Sequence, residues 1–200
     1  MRTERQAKSK FHRRAIIAAL IAGTVVQRVA AEPSGGEGGA PPVPATAAAD
    51  SPLSAIAWLA DSCWTGTFAD GETKDFVCYD WRLGKKFLRS RHRVIGGAGP
   101  YSGETIFALN PTTKKFEFAY YNSPGGIIRG EFEPTAAGID YPIEKVEMGD
   151  TSFDLRSVWR REGNDRYVAI TEKREGDGWL QFMRIEFVRS GPLSDWREGE

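Results

Sequence analysis

The chain has 200 residues, of which 40% are hydrophobic and 12% aromatic, and its 27 basic side chains balance its 27 acidic ones. Seven of the basic residues but only one acidic residue lie in the first 31 positions, so the remainder has 20 basic and 26 acidic residues, a net charge of −6. Nucleic acid is therefore excluded as a partner, because binding a phosphate backbone needs a basic surface.

The first 31 residues have the pattern of a secretory signal peptide. A basic segment precedes an apolar run of 12 residues, Ala15 to Val26, and the small residues Ala30 and Ala31 suit signal peptidase. The run is short for a membrane span, which needs about 20 apolar residues, although an uncleaved anchor is the alternative. We expect cleavage before Glu32, export to the periplasm or the medium, and no stable membrane span afterwards.

Residues 32–52 are rich in Gly, Pro and Ala and have almost nothing to bury. Such a segment cannot offset the entropy lost on ordering, so it is predicted to be a disordered linker. Residues 53–192 remain as one domain, long enough for a hydrophobic core, and residues 193–200 are predicted to form a tail.

Two turn signals set the pairing of the first three predicted strands. Asp70-Gly71 favours a two-residue hairpin, and centring the turn there pairs residues whose numbers sum to 141. A turn at Gly84-Lys85 pairs residues that sum to 169. Both registers place the same side chains on one inward face: Trp64, Phe68, Val77, Tyr79, Trp81, Leu88, Ser90, His92 and Val94.

The same register sets Cys63 opposite Cys78, which in an exported chain indicates a disulfide. One geometric difficulty remains, because a two-residue turn makes this a hydrogen-bonded pair with widely spaced Cα atoms, and only a longer loop or a bulge would bring them closer. A free thiol pair or a metal site is the rival. It lacks ligands, since His92 is the only histidine beyond the signal segment, and we predict no metal and no cofactor.

Turn signals recur at nine places and divide the domain into ten runs of about 7–12 residues, rich in β-branched and aromatic residues. Several runs alternate apolar and charged residues, among them a predicted inward set that begins at Trp179 and continues through Met183 and Ile185. The sixth run, Ile127 to Pro134, can present either its apolar or its charged residues inward. The pattern predicts an all-β fold, a ten-stranded antiparallel up-and-down meander closed as a barrel, with a two-sheet sandwich as the alternative.

The start of the domain, Trp58-Leu59-Ala60 followed by Cys63-Trp64-x-Gly66, resembles the openings of lipocalin-like (calycin) barrels. It looks like the Leu-x-Gly-x-Trp-x-Gly start of the nitrobindin and fatty-acid-binding branches. It is also similar to uncharacterised exported bacterial proteins that begin Trp-Leu-Ala-Gly-Cys-Trp. The resemblance implies a lipocalin-like barrel that binds a small apolar molecule.

Two features depart from those branches. Nitrobindin-like proteins bind haem through a histidine near their C-terminal end, and no histidine follows His92 here, so haem binding is not carried over. The turn at Asp70-Gly71 leaves no room for the helical lid of fatty-acid-binding proteins.

No nucleophile motif, phosphate-binding glycine loop or zinc motif is present, so no catalytic residue is assigned. His92 is either a ligand-binding or acid–base group in a cavity or a structural histidine beside Val77. A few polar groups among aromatic ones is typical of a small-molecule pocket, although the same aromatic side chains would also fill a barrel. The predicted ligand-binding residues are Tyr79, Trp81, Ser90, His92, Phe107, Tyr120, Trp159 and Met183.

These observations favour an exported barrel that binds a small apolar or amphipathic ligand. An enzyme on the same barrel with His92 as acid or base, and Tyr79 or Ser90 positioning a substrate, is the second hypothesis. An interaction module of the cell envelope, which would use the outer face of the barrel, is the third.

Overall fold

A computed structural model of the chain describes residues 51–97, 99–148 and 151–196. The predicted signal peptide, nearly all of the predicted linker and residues 197–200 lie outside that range. Within it are two short 3₁₀-helices, Ser54–Leu59 and Leu193–Asp195, and eleven strands. The strands are β1 Ser62–Phe68, β2 Lys74–Arg82, β3 Phe87–Ile95, β4 Tyr101–Leu109, β5 Phe116–Asn122, β6 Ile127–Glu131, β7 Glu133–Thr135, β8 Gly138–Met148, β9 Thr151–Arg161, β10 Arg166–Glu175 and β11 Gly178–Gly191.

The strands form one antiparallel sheet in the order β6-β5-β4-β3-β2-β1-β11-β10-β9-β8-β7. This is an up-and-down meander whose first strand pairs with its last, and it curls into a nearly closed barrel. The prediction of an all-β barrel is confirmed, with eleven strands in place of ten. The additional strand arises in the sixth predicted run, which breaks at Phe132: β6 pairs with β5, whereas β7 pairs with β8.

Phe132 explains the break. Its side chain is 1% exposed and packs edge to face against Phe107 at 5.5 Å between ring centroids. Ile128 packs against the same core, while Arg129 and Glu131 are exposed. The apolar residues of this run therefore point inward, and the run turns from one edge of the sheet to the other around a buried aromatic ring.

Both predicted hairpin registers are confirmed. Cys63 pairs with Cys78 and Trp64 with Val77, and across the next hairpin Tyr79 pairs with Ser90. The first loop is longer than predicted, because Phe68 N–H donates to the carbonyl of Thr73 at 3.1 Å.

The longer loop resolves the difficulty with the cysteines. A hydrogen-bonded pair at Phe68 and Thr73 makes every second pair along the ladder hydrogen-bonded, so the pair of Cys63 and Cys78 is a non-hydrogen-bonded one, in which Cα atoms approach more closely. Their Cα atoms are 4.0 Å apart, and the two residues form the predicted disulfide. The described residues contain no free cysteine.

One end of the barrel is closed by the helix Ser54–Leu59. Leu53, Ile56 and Leu59 are fully buried beneath it. The hydroxyl of Ser51 donates to the carbonyl of Lys85 in the turn between β2 and β3, at 2.8 Å. The helix therefore covers the end of the barrel at which that turn lies, and we call this the capped end.

Burial differs between the two halves of the barrel. Most inward side chains of the capped half are buried, the largest of them Trp64, Tyr79, Phe107, Phe132 and Tyr167, although Trp81 and Trp159 are only partly buried. Inward residues nearer the other end, which we call the open end, are only partly buried: Phe68, Val94, Tyr101, Tyr120, Ile128, Leu155 and Met183. The core thus fills the capped half, and solvent reaches the inner wall of the open half.

Two bulges change which side chains point inward. In β8, Tyr141 lies opposite Ser157 but Glu144 lies opposite Leu155, so one extra residue is inserted. A bulge between β10 and β11 has the same effect, because a one-residue shift reverses the faces. Trp179 was expected inward, and that expectation is wrong: its ring lies beneath the guanidinium groups of Arg156 and Arg174, at 4.6 and 5.6 Å.

The C-terminal segment packs on the outside of β2 and β3. Trp196 stacks on Phe76 with 6.0 Å between ring centroids, and the guanidinium of Arg91 lies 4.9 Å from the Trp196 ring. Across the described ranges, no helix has the length and apolar character to cross a membrane.

Candidate functional site

Four polar side chains form a hydrogen-bonded chain on the inner wall of the open half, one from each of β2, β3, β4 and β5. His92 Nδ1 lies 2.9 Å from Asp75 Oδ1, and His92 Nε2 lies 2.9 Å from the hydroxyl of Tyr120. The hydroxyls of Tyr101 and Tyr120 are 2.6 Å apart. We call Asp75, His92, Tyr120 and Tyr101 the histidine relay.

A glycine on β4 makes the relay possible. Gly103 pairs with His92, and a Cβ at this position would lie 2.4 Å from Tyr120 Cε2 and 2.8 Å from His92 Nε2. Those distances are shorter than real Cβ contacts, so any larger residue would push the phenol away from the imidazole. The bare backbone of Gly103 is the surface on which the Tyr120 ring lies.

The carboxylate fixes the direction of the hydrogen bonds. Asp75 accepts only, so His92 Nδ1 carries the proton that it donates. With a neutral ring, Nε2 then accepts from Tyr120, and Tyr120 accepts from Tyr101. Burial raises the pKa of both phenols, which therefore stay protonated at neutral pH. Within the relay, His92 and Tyr120 each donate one hydrogen bond and accept another, while Tyr101 donates and Asp75 accepts.

The predicted ligand-binding residues divide between the two halves. His92, Tyr120 and Met183 lie on the wall of the open half. In the capped half, Phe107 and Ser90 are buried, Trp81 and Trp159 pack against the core, and the hydroxyl of Tyr79 is 3.1 Å from that of Tyr167. The sequence therefore grouped residues that the fold separates into a packed core and an accessible wall.

Two concave regions lie on the barrel. One, of about 440 Å³, lies at the capped end between Trp58, Pro134 and Arg161. The other, of about 320 Å³, is lined mainly by outward residues such as Arg91, Glu104, Tyr121 and Trp196, together with His92 and Gly103. His92 alone of the eight predicted residues reaches either region.

A second polar group faces the interior from β8. The bulge turns Glu144 inward, where its Cγ lies 3.2 Å from the Cβ position of Gly130 on β6, beside the Phe118 ring. Burial raises the pKa of this carboxyl to about 7. Its neighbour Tyr141 has a buried hydroxyl without a hydrogen-bond partner in the part of the chain that the structure describes.

Sequence reasoning missed Asp75, Tyr101, Tyr141 and Glu144. A signal existed for Asp75, since it shares the alternation that places Val77 and Tyr79 inward. No such signal existed for Glu144. Simple alternation through β8 sends Ile143 inward and Glu144 outward, whereas Ile143 is 57% exposed.

No protein-family model matches the chain, and no curated protein matches it at a significant level. The barrel is compatible with a lipocalin-like fold. Its site must therefore be interpreted from its own residues.

Proposed function

We propose that this barrel is an exported, lipocalin-like protein that binds a small amphipathic molecule in its open half. The observation that carries the proposal is the contrast between the two halves: large aromatic side chains are fully buried in the capped half, while most inward residues of the open half, Asp75 and Val146 excepted, are partly accessible. An apolar ligand body that enters there would contact Val94, Leu155 and Met183.

Polar groups that face the interior of the open half from two walls support an amphipathic ligand over a purely apolar one. Small-molecule sites are mostly apolar, with a few polar groups that fix orientation. Here the histidine relay and Glu144 supply those groups, and Tyr120 and His92 are both partly accessible. A ligand with one polar end would satisfy them while burying its body against the wall.

Export is part of the proposal. It rests on the signal-like first 31 residues and agrees with the disulfide, because such bonds persist in oxidising compartments. The resemblance of the Trp58–Gly66 segment to lipocalin-like openings agrees with a ligand-binding barrel. Recovery of the protein from a periplasmic or culture-medium fraction, starting at Glu32, tests this part.

Ligand binding is tested with N-phenyl-1-naphthylamine, an uncharged amphipathic fluorophore whose emission rises in apolar sites. We expect saturable binding with a dissociation constant in the micromolar range. Val94→Trp places a bulky ring on the inner wall and is expected to weaken binding at least tenfold. Val188→Trp makes the same change at an exposed position on β11 and should bind as the wild type does.

A further variant shows whether a loss of binding is caused by misfolding. Val94→Ala enlarges the open half and should retain binding, and thermal unfolding of all three variants shows whether each is folded. The proposal fails if the wild type does not bind the probe, or if Val94→Trp and Val188→Trp bind it equally.

The Asp75–His92 pair favours a second candidate function, acid–base catalysis on the same wall. Both ring nitrogens of His92 are occupied, so the group that meets a substrate would be the Tyr120 hydroxyl, with His92 as its proton acceptor. Hydrolysis of an activated aryl ester above the solution rate, lost in His92→Ala and Tyr120→Phe, would support this function. A rate unchanged by both substitutions would exclude it.

A further inference from the structure

We infer that Glu144 and the hydroxyl of Tyr141 form a head-group site for an organic ammonium ion, so that the preferred ligand of the barrel is a small amine with an apolar body. This inference deepens the proposed function and rests on it. It concerns a wall of the barrel that is distinct from the histidine relay.

The site is built by a bulge on one strand and a glycine on another. The extra residue in β8 moves Ile143 outward and turns Glu144 inward at the place where β6 and β8 meet without being neighbours in the hydrogen-bonded sheet. Gly130 on β6 leaves room for the carboxyl, since a Cβ there would lie 3.2 Å from Glu144 Cγ and 2.8 Å from Phe118 Cε1. Bulges frequently re-aim a side chain at a functional site.

Both polar groups lack partners. Neither a hydrogen bond nor an ion pair joins the Glu144 carboxyl to any residue of the described ranges, and the Tyr141 hydroxyl is buried and equally unpartnered there. The two side chains lie on either side of the bulge and next to the same ring, because the Tyr141 ring is 5.4 Å from Phe118 and Glu144 lies beside Phe118 at the Gly130 position. Glu144 is partly buried, but the Tyr141 hydroxyl is fully buried, and buried polar groups without partners are rare in folded proteins because each costs free energy.

An ammonium group would satisfy both atoms. It offers three donors, one for the acceptor-only carboxylate and one for the phenolic oxygen. The surroundings suit a cation as well, because the Tyr141 ring packs 5.4 Å from Phe118 and 5.2 Å from Trp159, and aromatic faces attract cations. A carboxylate ligand would meet like charge in the same place.

The test uses two series of ligands, each with one apolar body and three different head groups. The first series is 2-phenylethylamine, 2-phenylethanol and phenylacetate, and the second is hexylamine, hexanol and hexanoate. Isothermal titration calorimetry at pH 8 keeps the amines protonated and Glu144 mainly ionised. We expect the amine of each series to bind at least tenfold more tightly than the alcohol, and the carboxylate to bind least.

Three variants separate the site from general effects of charge. Glu144→Gln should abolish the preference, so that the amine and the alcohol bind about equally. Glu131→Gln removes the same charge from an outward position on β6, next to Gly130, and should leave the preference unchanged. Tyr141→Phe should weaken amine binding severalfold without lowering the melting temperature, because the deleted hydroxyl has no partner to lose.

The outcomes distinguish this inference from the proposed function. Equal binding of amine and alcohol, or an amine preference that survives Glu144→Gln, overturns the ammonium site while ligand binding by the barrel stands. If neither series nor the fluorophore binds, the proposed function fails and the ammonium site fails with it.

Discussion

Glu144 lowers the stability of the folded protein by an amount that increases with pH. Burial raises its pKa from 4.5 to about 7, so the folded state holds this proton more tightly than the unfolded chain does. The stability due to the protonated carboxyl is complete below about pH 4.5 and is lost as the pH rises through 7. At about 1.4 kcal/mol per pKa unit, the loss is at most about 3.5 kcal/mol.

Glu144→Gln removes this pH dependence, because an amide does not ionise. We expect the variant to gain about 2–3 kcal/mol relative to the wild type between pH 4 and pH 8, measured as free energies of unfolding in urea. Glu131→Gln, at an exposed position paired with Lys115, should show little change over the same range. A Glu144→Gln curve parallel to that of the wild type would contradict the burial of this carboxyl.

Gly103 is the residue on which the histidine relay depends. Gly103→Ala would bring a methyl group within 2.4 Å of Tyr120 and 2.8 Å of His92, so the phenol must move and its bond to the imidazole must lengthen. We expect a loss of about 1–3 kcal/mol in the free energy of unfolding, as for other overpacked sites. Histidine NMR signals should shift as well, because Nε2 loses its partner.

The matched control is Gly178→Ala. A Cβ at Gly178 would find only the carbonyl oxygen of Glu175, at 3.8 Å, so the free energy of unfolding should change by less than about 0.5 kcal/mol. Equal effects of the two substitutions would mean that Gly103 has a general backbone role and no specific part in the relay.

At the scale of strands, the sequence was sufficient wherever a turn fixes the register of a hairpin. The pairings of Tyr79 with Ser90 and of Cys63 with Cys78 follow from the turn positions, because lengthening a loop by one residue on each side keeps the sum of the paired numbers. That symmetry also explains why the first loop could be longer than predicted without changing a partner.

Bulges are the features that the alternation of residue types does not reveal. One inserted residue reverses the faces of the side chains on one side of it relative to those on the other, which is why Trp179 points outward and Glu144 inward. The candidate site depends on such a bulge, so only the part of it on β2 to β5 was within reach of sequence reasoning. The break at Phe132 was hidden for a related reason, because its apolar and charged residues alternate through both β6 and β7.

Phe132 holds the two edges of the sheet together, and its removal should loosen both. Phe132→Ala is expected to lower the free energy of unfolding by about 3–5 kcal/mol. Amide hydrogen exchange should rise in β6 and β8, which flank the incomplete closure. Phe153→Ala deletes the same side chain from a partly buried position on β9 and should cost less. If protection from amide hydrogen exchange falls evenly around the barrel, Phe132 contributes to the core in general and does not specifically join the two edges of the sheet.

For the whole molecule, the disulfide joins the first two strands on the outside of the barrel, next to the chain's last described segment. Cys63 Sγ lies 3.3 Å from the carbonyl of Pro192, so the C-terminal strand, the first strand and the second strand meet there. The bridge spans 15 residues of sequence. Its main expected effect is on the unfolded chain, where a cross-link of this span removes about 3 kcal/mol of conformational entropy.

Cys78→Ala should therefore lower the free energy of unfolding by about 2–4 kcal/mol under oxidising conditions, measured by urea denaturation. With a reductant present, the wild type and the variant should differ only by the lost packing of one buried sulfur. Both cysteines are fully buried, so free thiols must be titrated after unfolding without reductant. Two reactive thiols in the unfolded protein, isolated without reductant, would show that the bridge does not form. In that case the wild type and the variant should have the same low free energy of unfolding with and without reductant, because only the noncovalent contacts of the barrel would stabilise the fold.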